Sequence, residues 1–123
     1  MITKPISLTK YLRHLALTPA HAGYNYIITT LHLIEGLDNY SITGIYRDVA
    51  KLHNTTPGGI ERCIRTAINA GIGNPQVTEL WYEEFGALID KDKGCITNKN
   101  FLACVSLMIS NGEITYTEVP NNG

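Results

Sequence analysis

Five apolar residues, Ile60, Cys63, Ile64, Ala67 and Ile68, recur at spacings of three and four behind the tetrad Thr56-Pro57-Gly58-Gly59. That period belongs to a helix with one buried stripe, and no strand or loop reading accommodates it. Thr56 suits the cap, and Pro57 suits the first helical position, where its missing N–H removes no intrahelical bond. Gly71 and the run Gly73-Asn74-Pro75 supply the stop. Just upstream, residues 43–53 form a shorter helix with Ile45, Val49 and Leu52 inward. Asn54-Thr55-Thr56 makes a tight turn between the two. A chain containing this unit has to pack other helices against both stripes.

The rest of the sequence provides them. Residues 8–17 carry Leu8, Leu12, Leu15 and Ala16 at helical spacing, stopped by Thr18-Pro19. Residues 22–37 carry Tyr24, Ile27, Ile28, Leu31 and Ile34, followed by the capping tract Asp38-Asn39-Tyr40-Ser41. An acidic helix over 76–85 buries Val77, Leu80 and Trp81 or Phe85. Residues 86–96 form a connection in which Ala87-Leu88-Ile89 is a candidate extended segment and Asp90 to Gly94 a polar turn. A last helix, capped by Thr97 or Asn98, turns Phe101, Leu102, Val105, Met108 and Ile109 inward and stops at Gly112. Residues 113–119 alternate enough for either a short strand or a loose tail. The expected fold is all-α, a six-helix bundle containing a helix-turn-helix over 1–112 with a tail over 113–123. At 123 residues the chain suits one domain that buries about two-thirds of its unfolded surface.

Targeting and redox signals are sparse. No apolar run at the N-terminus is long enough for a signal peptide, and the apolar stretch 24–37 is interrupted by Asn25, Thr29, Thr30, His32 and Glu35, so no membrane span is expected. Cys63, Cys95 and Cys104 form no C-x-x-C pair, which fits reduced thiols in a cytosolic protein.

A net charge of −1 excludes a generally basic nucleic-acid binder, yet the charge is unevenly placed. Residues 41–71 hold Arg47, Lys51, Arg62 and Arg65 against Asp48 and Glu61, a net of +2. Residues 72–90 hold Glu79, Glu83, Glu84 and Asp90 and no base, a net of −4. The positive share therefore falls on the helix-turn-helix, the motif whose second helix enters a DNA major groove. The outward face of that helix carries Gly58, Gly59, Glu61, Arg62, Arg65, Thr66 and Asn69. Arginine is the usual bidentate partner of guanine, and a glutamate accepts from a cytosine amino group. Gly58 and Gly59 allow close approach of a phosphate to the backbone.

The residues 54–68, Asn-Thr-Thr-Pro-Gly-Gly-Ile-Glu-Arg-Cys-Ile-Arg-Thr-Ala-Ile, resemble the recognition-helix motif N-T-T-x-x-x-[VI]-E-R-x-I-R-x-A-I of one bacterial family. That family is the C-terminal effector domain of the master sporulation initiation response regulator (stage zero sporulation protein A). Thr18-Pro19-Ala20-His21, with Gly23-Tyr24, is similar to the family's P-A-H-x-x-G-Y; Tyr46-x-Asp48-Val49-Ala50-Lys51 to its Y-P-D-I-A-K; Thr97-Asn98-x-x-Phe101 to the start of its last helix. The resemblance implies a sequence-specific DNA-binding transcription regulator in the bacterial cytoplasm, associated with the nucleoid. It implies double-stranded promoter DNA as partner, bound by dimeric or tandem copies, with RNA polymerase or a full-length homologue as further partners. It implies base and backbone contacts from Glu61, Arg62 and Arg65. Thr56, Gly58, Gly59 and Thr66 complete the expected DNA-facing set, and the residues give no sign of a cofactor, a metal or an enzymatic activity.

Two departures from the pattern cover three positions. Gly58-Gly59 replaces a common Ser-Arg pair, and Thr66 replaces a histidine, both of which alter the expected DNA contacts. The length is also expected to leave no room for the family's phosphorylatable receiver domain, as in a stand-alone effector or a domain cut from a longer protein. These departures leave an alternative: a protein-interaction module with weak or no DNA binding that modulates a full-length homologue.

Other signals carry less. Asp90-x-Asp92-x-Gly94 starts like a calcium loop, but its glycine comes one place early and Phe101 stands where the bidentate glutamate belongs. His14, His21, His32 and His53 show no zinc spacing, and His21 reads as a local hydrogen-bonder in its turn. Glu79, Glu83 and Glu84 lack a neighbouring nucleophile and read as a solvated face or a partner surface.

Overall fold

Hydroxyl caps set four of the helix starts. Ser7 accepts from the Lys10 amide, Ser41 from Gly44, Thr56 from Gly59 and Thr97 from Asn100, each at 3.1–3.2 Å. The computed structural model describes residues 5–116. Their elements are β1 (Ile6–Ser7), α1 (Leu8–His14), α2 (Ala22–Ile34), α3 (Ile42–Leu52), α4 (Pro57–Ile72), α5 (Thr78–Phe85), a 3-10 turn at Gly86–Leu88, α6 (Asn98–Ser110) and β2 (Ile114–Thr115). The fold is all-α, as its periodicities require, apart from this one short strand pair.

Helix α2 runs through the centre, packed against α3, α4 and α6. Its contact with α4 is close because Gly23 has no side chain: a Cβ there would lie 2.2 Å from the Cys63 carbonyl oxygen. Leu12, Ile27, Leu31, Ile60, Ile64, Ala67, Ile68 and Val105 are wholly buried around that axis. Trp81, Phe85 and Phe101 form a ring cluster with centroids 5.3–5.4 Å apart, and the indole N–H of Trp81 donates to the Leu15 carbonyl at 3.0 Å. Both Trp81 and Phe85 are therefore core residues. Ile28, Cys63, Val77, Leu80, Met108 and Ile109 sit half-buried at the rim.

Several boundaries differ from those the sequence suggests. Helix α1 stops at His14 rather than residue 17, because Ala16 takes the left-handed conformation (φ 63°) and the Leu17 amide turns back to the Leu12 carbonyl at 2.9 Å. Helix α2 stops at Ile34, where Glu35 (φ −56°, ψ 128°) and Gly36 (φ 77°) form a type II turn closed by Leu37 N–H to the Ile34 carbonyl. Leu52 is 66% exposed, against the expectation that it faces inward. The buried stripe of α3 is Ile45, Tyr46, Val49 and Ala50. At about 100° per residue Leu52 lies about 90° from the centre of that stripe, whereas His53 falls on it. The His53 ring meets Thr29 Oγ1 through Nε2 at 2.8 Å and packs edge-on against Tyr26.

The segment 87–89 is not extended throughout. Gly86–Leu88 makes a 3-10 turn, and extended backbone begins at Ile89, next to the bridge between Asp90 and Cys95. Asp90 Oδ1 accepts from the Asp92 and Lys93 amides at 2.9 and 3.1 Å, so this carboxylate organises its own turn. His21 bonds locally through its backbone, its amide donating to the Thr18 carbonyl and its carbonyl accepting from the Tyr24 amide, while its ring Nδ1 is buried without a partner among the described residues.

Of the two readings open for residues 113–119, the strand holds at Ile114–Thr115. It pairs in parallel with β1, Ile6 opposite Ile114 and Ser7 opposite Thr115, and Ile114 is buried. Tyr116 follows, its hydroxyl donating to the Leu31 carbonyl at 2.9 Å and its ring stacked on His32. Val119 lies outside the described residues.

Candidate nucleic-acid interface

The turn between α3 and α4 is closed by backbone geometry. Asn54 is left-handed (φ 55°), a conformation asparagine tolerates better than most residues, and the Thr55 amide donates to the Ala50 carbonyl at 2.9 Å. Thr56 then caps α4 and Pro57 opens it. Two helices joined by so short a turn, with the second presenting an open face, is helix-turn-helix geometry.

On α4, Gly58, Glu61, Arg62, Arg65 and Asn69 fall within a sector about 100° wide. All five are exposed. Thr66 is exposed at the edge of that sector. Gly59 is half-buried and turns toward the cap: a Cβ there would meet Thr56 Oγ1 at 3.0 Å and Thr55 Oγ1 at 3.3 Å. A Cβ on Gly58 meets nothing within 4 Å. The Thr56 hydroxyl is occupied as the acceptor from Gly59 N–H. Of the residues singled out from sequence, Gly58, Glu61, Arg62, Arg65 and Thr66 thus form an open surface, whereas Thr56 and Gly59 build the helix start.

Glu61 and Arg65 are paired. Arg65 Nη1 donates to Glu61 Oε1 at 2.6 Å, with both side chains about half exposed. Arg62 has no acidic partner among the described residues.

A groove of about 580 Å³ runs beside this face. Its near wall is α4, through Glu61, Arg65 and Asn69, and its floor includes Ile42, Tyr46 and Ile96. Its far wall is the start of α6, with Asn98 and Lys99. Asn98 Nδ2 donates to the Glu61 carbonyl at 2.9 Å, so one amide joins α6 to α4. Burial pushes the Tyr46 phenol up, and the neighbouring Asn98 side chain opposes that shift. Asn98 and Lys99 were not legible as site residues, because they lie far along the chain from α4. The only sequence signal was the capping pattern at Thr97-Asn98.

Glu79 and Glu83 on α5 are exposed, and Glu84 accepts from the Tyr11 hydroxyl at 2.8 Å, which gives one of the three carboxylates a structural role. Among the described residues no helix is long and apolar enough to cross a membrane.

Residues 8–109 match the family model described as sporulation initiation factor Spo0A C terminal. The matched stretch runs from the first residue of α1 to the last turn of α6, so it includes α3, α4 and both walls of the groove.

Proposed function

The chain belongs to the family of the C-terminal domain of sporulation initiation factor Spo0A, the DNA-binding effector domain of a transcription regulator, and from that premise we propose that α4 reads the major groove through Glu61, Arg62 and Arg65. One observation carries the residue assignment. These three side chains stand exposed in one sector of the second helix of a helix-turn-helix, and none is used to hold the core. Arg62 takes the base contact, because its guanidinium is uncommitted and arginine pairs bidentately with guanine. Arg65 contacts a base or flanking phosphate once released from Glu61, and Thr66 sits at the margin. Thr56 and Gly59 contribute by shaping the helix start, and Gly58 by letting the phosphate backbone come close.

Selection of bound sites from random duplexes tests the assignment. An enriched motif is expected, with affinity falling steeply as salt rises. Arg62→Ala is expected to weaken the selected site by about 1–3 kcal/mol and relax preference at one position. Unchanged binding in an Arg62→Ala/Arg65→Ala double variant overturns the assignment.

The protein partners follow the same reading. Dimeric or tandem copies on the promoter suit a domain that carries a single reading helix. Exposed Glu79 and Glu83 supply an acidic surface for RNA polymerase or a full-length homologue. A bacterial cytoplasmic, nucleoid-associated location accords with promoter binding.

A further inference from the structure

We propose that Lys99, at the start of α6, is a second DNA-contacting element that takes a backbone phosphate of the strand lying along the α4 groove. The inference rests on the reading of α4 as the DNA-facing helix. Four observations converge on it. Lys99 lines the groove whose opposite wall is formed by Glu61, Arg65 and Asn69, so α6 presents a cation to the same opening as the reading face. Arg65, the other cation in that lining, is engaged by Glu61 at 2.6 Å, whereas Lys99 has no acidic partner among the described residues. Asn98 fixes this end of α6 to α4 through the Glu61 carbonyl at 2.9 Å, which sets the position of Lys99 relative to the reading helix. Finally, Lys99 is exposed on a domain whose net charge is −1, so a phosphate seat on this face depends on individual, placed cations.

A lysine in that position acts as a point charge. It strengthens binding to every sequence alike and carries no base preference, while the α4 side chains discriminate. The domain then holds one strand between two elements, with base contacts from α4 and an anchoring contact from α6.

The test is a salt titration of binding to a fluorescent mixed-sequence duplex, for wild type, Lys99→Ala and the control Lys10→Ala on α1. Lys99→Ala is expected to reduce the slope of log K against log salt by about 1, with equal weakening on the selected site and on mixed sequence. Lys10→Ala is expected to leave the slope unchanged. A Lys99→Ala slope equal to wild type overturns the inference while leaving the reading of α4 intact. Equal loss of slope in the Lys10→Ala control also overturns it, because the contribution is then diffuse. Wild-type protein that shows no salt-dependent duplex binding overturns both the inference and the reading beneath it.

Discussion

Glu61 and Arg65 lie one turn apart on α4 and are joined at 2.6 Å, so the free domain presents one of the two arginines proposed to read DNA already neutralised. For an exposed pair of this kind the stabilisation is only about 0.3–0.5 kcal/mol. Exchange of Glu61 for a DNA acceptor is therefore easy, and on the proposed reading the glutamate is a competitor that a base or phosphate displaces. Glu61→Gln is expected to leave the melting temperature nearly unchanged, raise affinity for mixed-sequence duplex and narrow the ratio of selected to unselected binding. Anisotropy titrations on the two duplexes measure both. A Glu61→Gln protein with an unchanged ratio refutes the competitor role.

Two glycines of similar appearance in the sequence have opposite structural settings. A methyl on Gly23 would sit 2.2 Å from the Cys63 carbonyl oxygen, in the contact between α2 and α4, and no flexible side chain can move aside. Gly23→Ala is expected to destabilise the fold by about 3 kcal/mol or more, forcing α2 away from α4. A methyl on Gly58 meets open space, so Gly58→Ala is expected to stabilise by about 0.5–1 kcal/mol through helix propensity. Urea unfolding of both variants checks the signs. Equal effects at the two positions contradict the close packing described for α2 and α4.

Three tyrosines bring an alkaline limit to stability. Burial, then the Glu35 charge, pushes the Tyr116 phenol up to about 12 from 10.0. Tyr11 shifts in the same direction, first through burial and then through its bond to Glu84, and burial also raises Tyr46. A phenol whose folded value is raised holds its proton in the folded state while the unfolded chain loses it. The associated stability is complete below the unfolded value near pH 10 and is lost as pH climbs toward the folded value. Urea midpoints are expected to fall from about pH 10 upward. Tyr116→Phe is expected to lower stability by about 1 kcal/mol at neutral pH, through the lost bond to the Leu31 carbonyl, and to flatten part of the alkaline fall. A variant with the wild-type alkaline slope removes Tyr116 from this account.

What was legible in the sequence was mostly local. Thr56-Pro57 and the stripe through Ile60, Ile64, Ala67 and Ile68 define α4 because capping and periodicity act over a few residues. The sequence turns Leu52 inward because a short stripe has a poorly determined centre, and including Tyr46 and Ala50 moves that centre away from it. The sequence extends α1 too far because nothing in an alanine announces a left-handed backbone; Leu17 stays buried although the helix has ended. Strand β1 is two residues long and exists only because Ile114 lies beside it. On α4 the outward residues were readable, but the groove depends on Asn98 reaching Glu61 across 37 positions, a contact no local pattern encodes.

The parallel register of Ile6 with Ile114 makes the whole set of helices a single crossover connection between two neighbouring strands. The described chain is in effect a ring, with its clasp at one pole. The clasp follows the C-terminal end of α6, while Lys99 stands near the opposite end of that helix, about 17 Å from its last residue at the usual helical rise. A ring can be reopened elsewhere. A short linker across the clasp and a cut within the exposed turn at residues 90–94 produce a permuted protein in which no helix is severed.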